Sequence, residues 1–253
     1  MNMTKKTMQK FDVMVIGGSM TGAAMALGLA RQNYSVAVVE PHMPAPFAAD
    51  SVPDIRVSAI SAASRTLLDQ LGAWQSLEAM WVCPYRRLSV WEDGARTDFT
   101  AEDIPARQLG HIIENSLIQR ALYEVLQQSS RVKWFNAGLD CFVEQNTNNV
   151  ILTDGSEISA ALLIGADGGH SKVRQQLGIG ICGWQYKQQA LAVSVKTHAP
   201  QQDITWQQFV PSGPMAFLPL YDGYASLVWY HQAEQIQRLK ALSDSDLKTE
   251  IKQ

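Results

Sequence analysis

A turn of small residues near the start of the chain has the spacing of a phosphate-binding loop. Gly17, Ser19 and Gly22 directly follow a short apolar stretch, residues 11–16. In a dinucleotide-binding unit, the first glycine makes the tight turn, the second lets the backbone approach the pyrophosphate, and the third packs helix against strand. Ser19 departs from this pattern, but its side chain is small. The predicted phosphate-binding residues are Gly17, Gly18, Ser19, Met20 and Gly22.

An acidic residue ends the second apolar stretch of the same unit. A helix predicted over residues 23–32 leads to the stretch 35–39, which is followed by Glu40. A strand, a helix and a strand within about thirty residues form a parallel βαβ unit. A carboxylate at this position accepts hydrogen bonds from the ribose hydroxyls of an adenosine. Glu40 is therefore a predicted cofactor ligand, and this unit alone leaves both NAD and FAD open.

A later run, residues 163–174, places an Asp-Gly turn between a predicted strand and a predicted helix. Asp167 would fix the turn, Ser171 is placed to cap the helix, and Arg174 offers a charged donor. The run resembles a motif of the flavoprotein aromatic hydroxylases, the family of p-hydroxybenzoate hydroxylase. In that family the motif contacts the FAD pyrophosphate region and also affects pyridine nucleotide binding. The resemblance thus implies FAD, with Asp167, Gly168 and Arg174 among its ligands.

Two other segments resemble flavin-contacting positions of the same hydroxylases. Arg56 matches an arginine that follows the second strand and lies along the flavin. An arginine in a loop is more often simply solvated, which is the alternative here. Asn115 and Gln119 match a helix start that contacts the flavin, and for Asn115 helix capping is the alternative.

The resemblance covers the chain from about residue 11 onward and narrows to the ubiquinone-biosynthesis hydroxylases. Residues 53–64, 109–116 and 216–220 match this group, and residues 84–88 and 205–209 point to one member of it. The resemblance implies an FAD-dependent, NAD(P)H-using monooxygenase that hydroxylates the ring of a polyprenylated quinol or phenol. A sister flavoprotein hydroxylase with another aromatic substrate is the alternative within the family.

The chemistry of this family requires no protein nucleophile. Reduced FAD reacts with O₂ to give a C4a-hydroperoxide, while the protein supplies orientation and a dry pocket. The implied partners are therefore FAD, NAD(P)H, O₂ and an apolar aromatic quinol, and the sequence nominates no catalytic residue. Membership of a ubiquinone-biosynthesis complex is a hypothesis. Peripheral contact with a membrane is another, because a polyprenylated quinol is insoluble.

One flavin motif of the family does not occur in this sequence. The family carries a Gly-Asp-Ala-Ala-His segment that binds the ribityl chain beyond the late strands, whereas the present sequence stops at Gln253. We therefore expect a cloned fragment, a truncated gene product or a part of a longer polypeptide. This expectation raises a hypothesis of a different class, a non-catalytic nucleotide-binding or assembly module.

The elements that must position these residues follow from the remaining pattern. Helices are predicted over 61–71 and 116–127, and a single amphipathic helix over 234–253. Strands are predicted at 88–99 (a hairpin turning at Asp93-Gly94), 132–135, 139–144, 150–153, 162–167, 191–197, 204–210, 216–220 and 225–230. Aromatic side chains crowd the late strands, where cross-strand packing is favoured over lining a quinol pocket.

The predicted fold class is α/β plus antiparallel β: an FAD-binding, Rossmann-like domain with a mostly antiparallel substrate-binding sheet. Residues 1–80 and 105–182 are the predicted FAD-binding domain. Residues 81–104 are a predicted hairpin of the substrate domain, and residues 183–253 form its incomplete remainder.

Composition excludes several other classes of protein. A net charge of −3 and a pI near 5.9 give no basic surface for nucleic acid. No apolar run reaches membrane-spanning length, and the polar start of the chain resembles no signal peptide, which favours a cytoplasmic protein. Three widely spaced cysteines are expected to be reduced and mostly buried. The scattered histidines predict no metal site.

Overall fold

The computed structural model describes residues 8–143 and 146–251, which divide into two compact units. The first unit contains residues 8–49, Arg65–Met80 and Asn115–Cys182. The second contains Asp50–Ser64, Trp81–Glu114 and the described residues from Gly183 onward. Residues 50–64 and 105–114, which the sequence analysis placed in the FAD-binding domain, thus belong to the second unit. The roles given to the predicted domains stay predictions.

Strands and helices alternate in the first unit, whereas strands dominate the second. The strands are β1 (Gln9–Ile16), β2 (Val36–Val39), β3 (Val57–Ser61), β4 (Cys83–Tyr85), β5 (Arg87–Glu92), β6 (Ala95–Thr100), β7 (Gly110–Glu114), β8 (Val132–Phe135), β9 (Leu139–Val143), β10 (Asn146–Leu152), β11 (Glu157–Gly165), β12 (Gln188–Lys196), β13 (Ile204–Val210), β14 (Gly213–Pro219) and β15 (Tyr224–Gln232). The helices are α1 (Met20–Arg31), α2 (Ala62–Gln70), α3 (Trp74–Glu78), α4 (Asn115–Gln128), α5 (Lys172–Gln176), α6 (Ala233–Lys240) and α7 (Asp244–Ile251).

The first unit is built on a six-stranded sheet with the order β8-β2-β1-β11-β10-β9. The four strands from β8 to β11 are parallel, and β10 and β9 are antiparallel additions. All four residues of β2 are buried, as expected for a parallel strand covered on both faces. Helix α1 packs against β2 and α4 through small side chains. Its buried residues are Gly22, Ala23, Ala26, Leu27 and Ala30.

The second unit contains two sheets. The larger has the order β12-β15-β14-β13-β5-β6 and is antiparallel except for the parallel pair β13 and β5. The smaller has the order β3-β7-β4, with β7 in the middle and both pairings antiparallel. Helix α6 packs on β12 and β15, and Ile236 and Leu239 of α6 are fully buried. The α/β unit and the mostly antiparallel second unit confirm the predicted fold class.

Several local predictions are confirmed by backbone geometry. The helix predicted to stop at residue 32 is followed by Asn33, whose φ of 68° is a left-handed conformation that asparagine tolerates. Asp93 and Gly94 join β5 to β6 with φ angles of 44° and 82°, as a type I′ hairpin requires. Aromatic pairing across strands is confirmed for Trp206 and Phe217, register partners whose rings stack with centroids 5.5 Å apart.

Other predictions need correction. The single helix over 234–253 is wrong: α6 and α7 are separate helices. Ser243 begins the second one, because its hydroxyl accepts a hydrogen bond from the amide of Asp246 at 3.2 Å. Residues 252–253 and Glu144, at the end of a predicted strand, lie outside the described residues. Helix α3 and the whole β3-β7-β4 sheet were not predicted, because their short segments lack a clear hydrophobic alternation.

The cysteines also differ from expectation. Cys83 is buried, whereas Cys141 is half-buried and Cys182 is exposed, so the thiols are not mostly buried. Burial raises the pKa of the Cys83 thiol to about 11. Within the described residues, no His, Cys, Asp and Glu side chains cluster as metal ligands would. No helix there is long and apolar enough to span a bilayer.

Candidate functional site

Two motifs that are far apart in the sequence meet at one edge of the first sheet. Strands β1 and β11 are parallel neighbours in register, with Ile16 opposite Gly165, so their carboxyl ends coincide. The amide of Ala166 donates to the carbonyl of Ile16 at 2.7 Å. The glycine turn after β1 and the Asp-Gly turn after β11 therefore lie side by side, as in folds that bind ligands beyond the carboxyl ends of parallel strands.

Close backbone contacts explain why glycine occupies the first and last positions of the glycine turn. Gly17 has a φ of +104°, and a Cβ there would lie 2.3 Å from the carbonyl oxygen of Ala166. A Cβ on Gly22 would lie 1.9 Å from the carbonyl oxygen of Gly17. The second contact is the close helix–strand packing that the sequence predicted for Gly22. Ala166, the wall of this turn, was not among the predicted site residues.

Gly18 is constrained by the predicted residue Glu40 and by Trp134, which sequence reasoning missed. A Cβ on Gly18 would lie 2.4 Å from the indole ring of Trp134 in β8 and 2.8 Å from Cβ of Glu40. Trp134 sits on the strand beside β2, so the ring reaches the turn from the neighbouring strand end. The only signal in the sequence was a large aromatic residue in a short strand, which is also common in an ordinary core.

The start of α1 is suited to an anion. Ser19 occupies the N-cap position in an extended conformation and is exposed, and its hydroxyl makes no capping hydrogen bond within the described chain. The first turn, which begins at Met20, carries no acidic side chain. The first-turn N–H groups and the positive end of the helix dipole are therefore left for a ligand such as a pyrophosphate.

Glu40 is fixed on the glycine turn by both carboxylate oxygens. Oε2 accepts a hydrogen bond from the amide of Gly18 at 2.9 Å, and Oε1 accepts one from the amide of His42 at 2.9 Å. Each oxygen retains acceptor capacity, since a carboxylate offers about four lone-pair sites. This geometry is compatible with the predicted ribose contact, which stays a prediction.

Replacing Glu40 with glutamine is expected to weaken FAD binding by about 10-fold, because the amide nitrogen cannot accept one of the two backbone hydrogen bonds. The free energy of unfolding should fall by about 1 kcal/mol. Flavin fluorescence titration and urea unfolding measure the two effects. Glu78→Gln is the matched control, since Glu78 accepts one hydrogen bond, from the indole nitrogen of Trp74, within α3 and away from the glycine turn. Equal FAD affinities of the two variants would contradict the role of Glu40.

The Asp-Gly turn has the local structure that its motif predicts. Oδ2 of Asp167 accepts a hydrogen bond from the amide of Val173 at 3.2 Å, and Gly168 has a φ of 79°. The hydroxyl of Ser171 accepts from the amide of Arg174 at 3.0 Å, so Ser171 caps α5 as predicted. The guanidinium of Arg174 donates to the carbonyl of Gly169 at 2.9 Å and so stays beside the turn.

Asp167 also carries an orphaned acceptor. Its Oδ1 atom is buried and has no hydrogen-bond partner in the part of the chain that the structure describes. Leaving a buried carboxylate oxygen unpaired costs about 1–3 kcal/mol. A ligand hydroxyl would satisfy this oxygen, and FAD carries such hydroxyls on its ribityl and ribose groups. The residues present therefore fit a dinucleotide cofactor.

Helix α4 also contacts the glycine turn. Gln119 donates from Nε2 to the carbonyl oxygen of Gly18 at 3.4 Å, a long hydrogen bond. Asn115 is the first residue of the same helix and is half-buried. In the second unit, Arg56 is exposed in the loop before β3, and its amide donates to Oδ1 of Asp54 at 3.0 Å. The flavin contacts assigned to these three predicted residues stay predictions.

The family of the chain is shown by a match between its sequence and a family model. A family model described as an FAD binding domain matches residues 10–253, so the chain belongs to the FAD-binding domain family. This match confirms the predicted resemblance and its cofactor class.

Two relatives show which members of the family this chain is similar to. The chain is 44% identical to the 3-demethoxyubiquinol 3-hydroxylase of Escherichia coli over 97% of its own length and 63% of that protein. It is 33% identical to the human mitochondrial ubiquinone biosynthesis monooxygenase COQ6 over 92% of its own length and 54% of that protein. The chain therefore spans less than two thirds of these relatives.

A solved structure supports the fold. PqsL from Pseudomonas aeruginosa, described as a probable FAD-dependent monooxygenase, superposes with a TM-score of 0.76. The two sequences are 21% identical, and the match covers 91% of this chain and 63% of PqsL. At this identity, the likeness concerns the fold.

Proposed function

We propose that this chain is part of an FAD-dependent monooxygenase that hydroxylates the ring of a polyprenylated quinol in ubiquinone biosynthesis. The observation that carries the proposal is the 44% identity to 3-demethoxyubiquinol 3-hydroxylase over nearly the whole chain. Residues 84–88 and 205–209 favour the same member of the group, the polyprenyl methoxy-methyl-benzoquinol hydroxylase. The presence of ubiquinone-biosynthesis monooxygenases among the other relatives supports the pathway.

The proposed binding roles follow from the site. The N–H groups at the start of α1 bind the pyrophosphate, and Glu40 binds the adenosine ribose while holding the glycine turn in shape. Asp167 accepts a hydrogen bond from a cofactor hydroxyl at its unpaired oxygen. When bound, FAD supplies the chemistry that takes electrons from NAD(P)H and transfers an oxygen atom from O₂ to an electron-rich ring. Arg56, Asn115 and Gln119 are proposed to flank the flavin.

The proposed substrate also suggests where the protein works. A polyprenylated quinol partitions into lipid, so we propose that the complete protein reaches it by peripheral contact with a membrane, within a ubiquinone-biosynthesis assembly. Co-sedimentation with anionic liposomes tests the contact with lipid. Recovery of all the protein in the supernatant, with and without quinol in the vesicles, would count against it.

The visible spectrum of the purified chain tests the proposed function. After incubation with FAD and gel filtration, we expect a flavin spectrum in stoichiometric amount, because the residues proposed to recognise the AMP half of FAD lie together in the first unit. NAD(P)H oxidation with 3-demethoxyubiquinol analogues, followed by mass spectrometry for a product carrying one added oxygen atom, then tests the activity.

Each outcome of these measurements has a meaning. A hydroxylated quinol supports the monooxygenase, and turnover of a different aromatic ring supports a sister hydroxylase. Stoichiometric flavin without turnover favours the second hypothesis, a nucleotide-binding or assembly module. A chain that stays colourless after incubation with FAD contradicts flavin binding by these residues alone and any monooxygenase activity of this chain by itself.

A further inference from the structure

The second unit contains a buried carboxylate that the proposed function does not use. Glu114 ends β7, the middle strand of the three-stranded sheet, directly after the buried residues Ile112 and Ile113. The side chain is 6% exposed. Burying a carboxylate costs free energy unless the group is hydrogen-bonded. The hydrogen-bond partners of Glu114 therefore indicate which segments it stabilises.

Both oxygens of Glu114 have partners from distant parts of the unit. Oε2 accepts a hydrogen bond from the amide of Asp54 at 2.7 Å, across 60 residues of sequence. Oε1 accepts one from the hydroxyl of Tyr221 at 2.9 Å, across 107 residues. The carboxylate thus links the end of β7, the loop before β3 and the turn between β14 and β15.

The Tyr221 side of this link is itself held in place. Its ring stacks on the indole of Trp81, with centroids 4.0 Å apart and an interplanar angle of 9°. Burial and the hydrogen bond to Glu114 raise the pKa of the Tyr221 hydroxyl well above its usual value. Tyr221 therefore remains a hydrogen-bond donor over the whole physiological pH range, and the position of the carboxylate does not depend on titration of its partner.

The loop that contains Asp54 also carries Arg56, a predicted cofactor ligand. Oδ1 of Asp54 accepts a hydrogen bond from the amide of Arg56, which closes a short turn within the loop. The carbonyl of Pro53 accepts a hydrogen bond from the hydroxyl of Ser194 in β12 at 3.3 Å. The loop is thus anchored at Pro53, at Asp54 and by its own turn, while the side chain of Arg56 stays exposed. The backbone that carries the exposed arginine is therefore preorganised.

We propose that Glu114 is a positioning residue that, through the amide of Asp54, fixes the loop from which Arg56 meets the cofactor. This inference rests on the proposed flavin contact of Arg56. The bond from Glu114 acts on the backbone of the loop, so it sets the direction of the arginine without touching the cofactor. Removing the carboxylate should release the loop and weaken FAD binding only as far as Arg56 contributes to it.

Limited trypsin digestion of the full chain without FAD tests whether Glu114 fixes the loop, because trypsin cuts after Arg56. Glu114→Leu, which keeps the bulk and removes both hydrogen bonds, is expected to raise the cleavage rate at Arg56 by about 10-fold. Cleavage at exposed Lys187 normalises the rates, and cleavage at Lys133 in β8 reports global unfolding. Glu124→Leu, in α4 of the first unit, is the matched control and should leave cleavage at Arg56 unchanged.

A conservative variant distinguishes an effect of Glu114 on the loop from an effect on the folding of the whole chain. In Glu114→Gln, the amide oxygen can accept from the amide of Asp54 while the NH₂ group donates to the hydroxyl oxygen of Tyr221. Cleavage at Arg56 should therefore stay within about 2-fold of the parent chain. Unchanged cleavage in Glu114→Leu would overturn the proposal, as would selective release of the loop in Glu124→Leu. If Glu114→Leu does not fold, Tyr221→Phe replaces it, with an expected rise of about 3-fold.

A double-mutant cycle, measured by titration with FAD, tests whether Glu114 affects FAD binding through Arg56. Glu114→Leu should weaken FAD binding by about 10-fold in the parent chain and by less than about 2-fold in an Arg56→Leu background. Additive losses would overturn the coupling to Arg56. A parent chain that binds no FAD contradicts the proposed function instead, and the digestion still decides whether Glu114 holds the loop.

Discussion

Replacing Gly22 with alanine is expected to lower FAD affinity by at least about 100-fold and the free energy of unfolding by about 3 kcal/mol. The added methyl group would lie 1.9 Å from the carbonyl oxygen of Gly17 and 3.2 Å from Cβ of Ala166. The nearest contact is with a backbone carbonyl, which cannot swing aside as a flexible side chain can, so α1 must move away from the turn. That movement would displace the N–H groups proposed to bind the pyrophosphate.

The same helix supplies the control. A Cβ on Gly28 would meet nothing within 4 Å, so Gly28→Ala should leave FAD binding unchanged. It should also stabilise the chain by about 0.5–1 kcal/mol, because alanine loses less conformational entropy in a helix than glycine does. Urea unfolding and flavin fluorescence titration measure both variants. Comparable FAD affinities for Gly22→Ala and the parent chain would show that the glycine turn does not bind the cofactor.

Replacing Asp167 with alanine should have a different signature: FAD binding about 30-fold weaker, with a free energy of unfolding within about 1 kcal/mol of the parent chain. The substitution removes the hydrogen bond from the amide of Val173, which costs stability. It also removes the buried Oδ1 atom that lacks a partner among the described residues, which restores stability. The loss of affinity follows because a cofactor hydroxyl would lose its hydrogen-bond acceptor.

Asp154→Ala is the control for this second prediction. Oδ1 of Asp154 accepts from the amide of Ser156 at 2.8 Å in a turn of the same sheet, so its loss should cost about 1 kcal/mol of stability and no FAD affinity. Equilibrium dialysis with FAD and thermal unfolding separate the two effects. If Asp167→Ala lost stability and affinity in proportion, the orphaned oxygen would have no role in binding.

Sequence patterns were most informative where one local rule determines the structure. The βαβ unit followed from two apolar stretches around a helix of small residues, and α1 simply begins three residues earlier than predicted, at Met20. Hairpin turns were visible because Asp93-Gly94 favours left-handed backbone, and the Asp167 turn with its Ser171 cap followed from side-chain chemistry.

Contacts between distant segments were beyond the reach of these rules. The wall that Ala166 forms against Gly17 depends on which strand neighbours β1, and no local pattern encodes that pairing. Trp134 beside Gly18 depends in the same way on the pairing of β8 with β2. The buried state of Glu114 was likewise hidden, because a single acidic residue after an apolar run is usually an exposed strand end.

The pairing of β1 with β11 also has a consequence for how the chain is made. The residues of β1 leave the ribosome about 150 residues before their partners in β11. At about 5–20 residues per second, the nascent chain would wait on the order of 8–30 seconds for that strand. Until then one edge of β1 is uncovered and the glycine turn lacks its wall. The proposed flavin site can therefore be complete only after β11 has been synthesised.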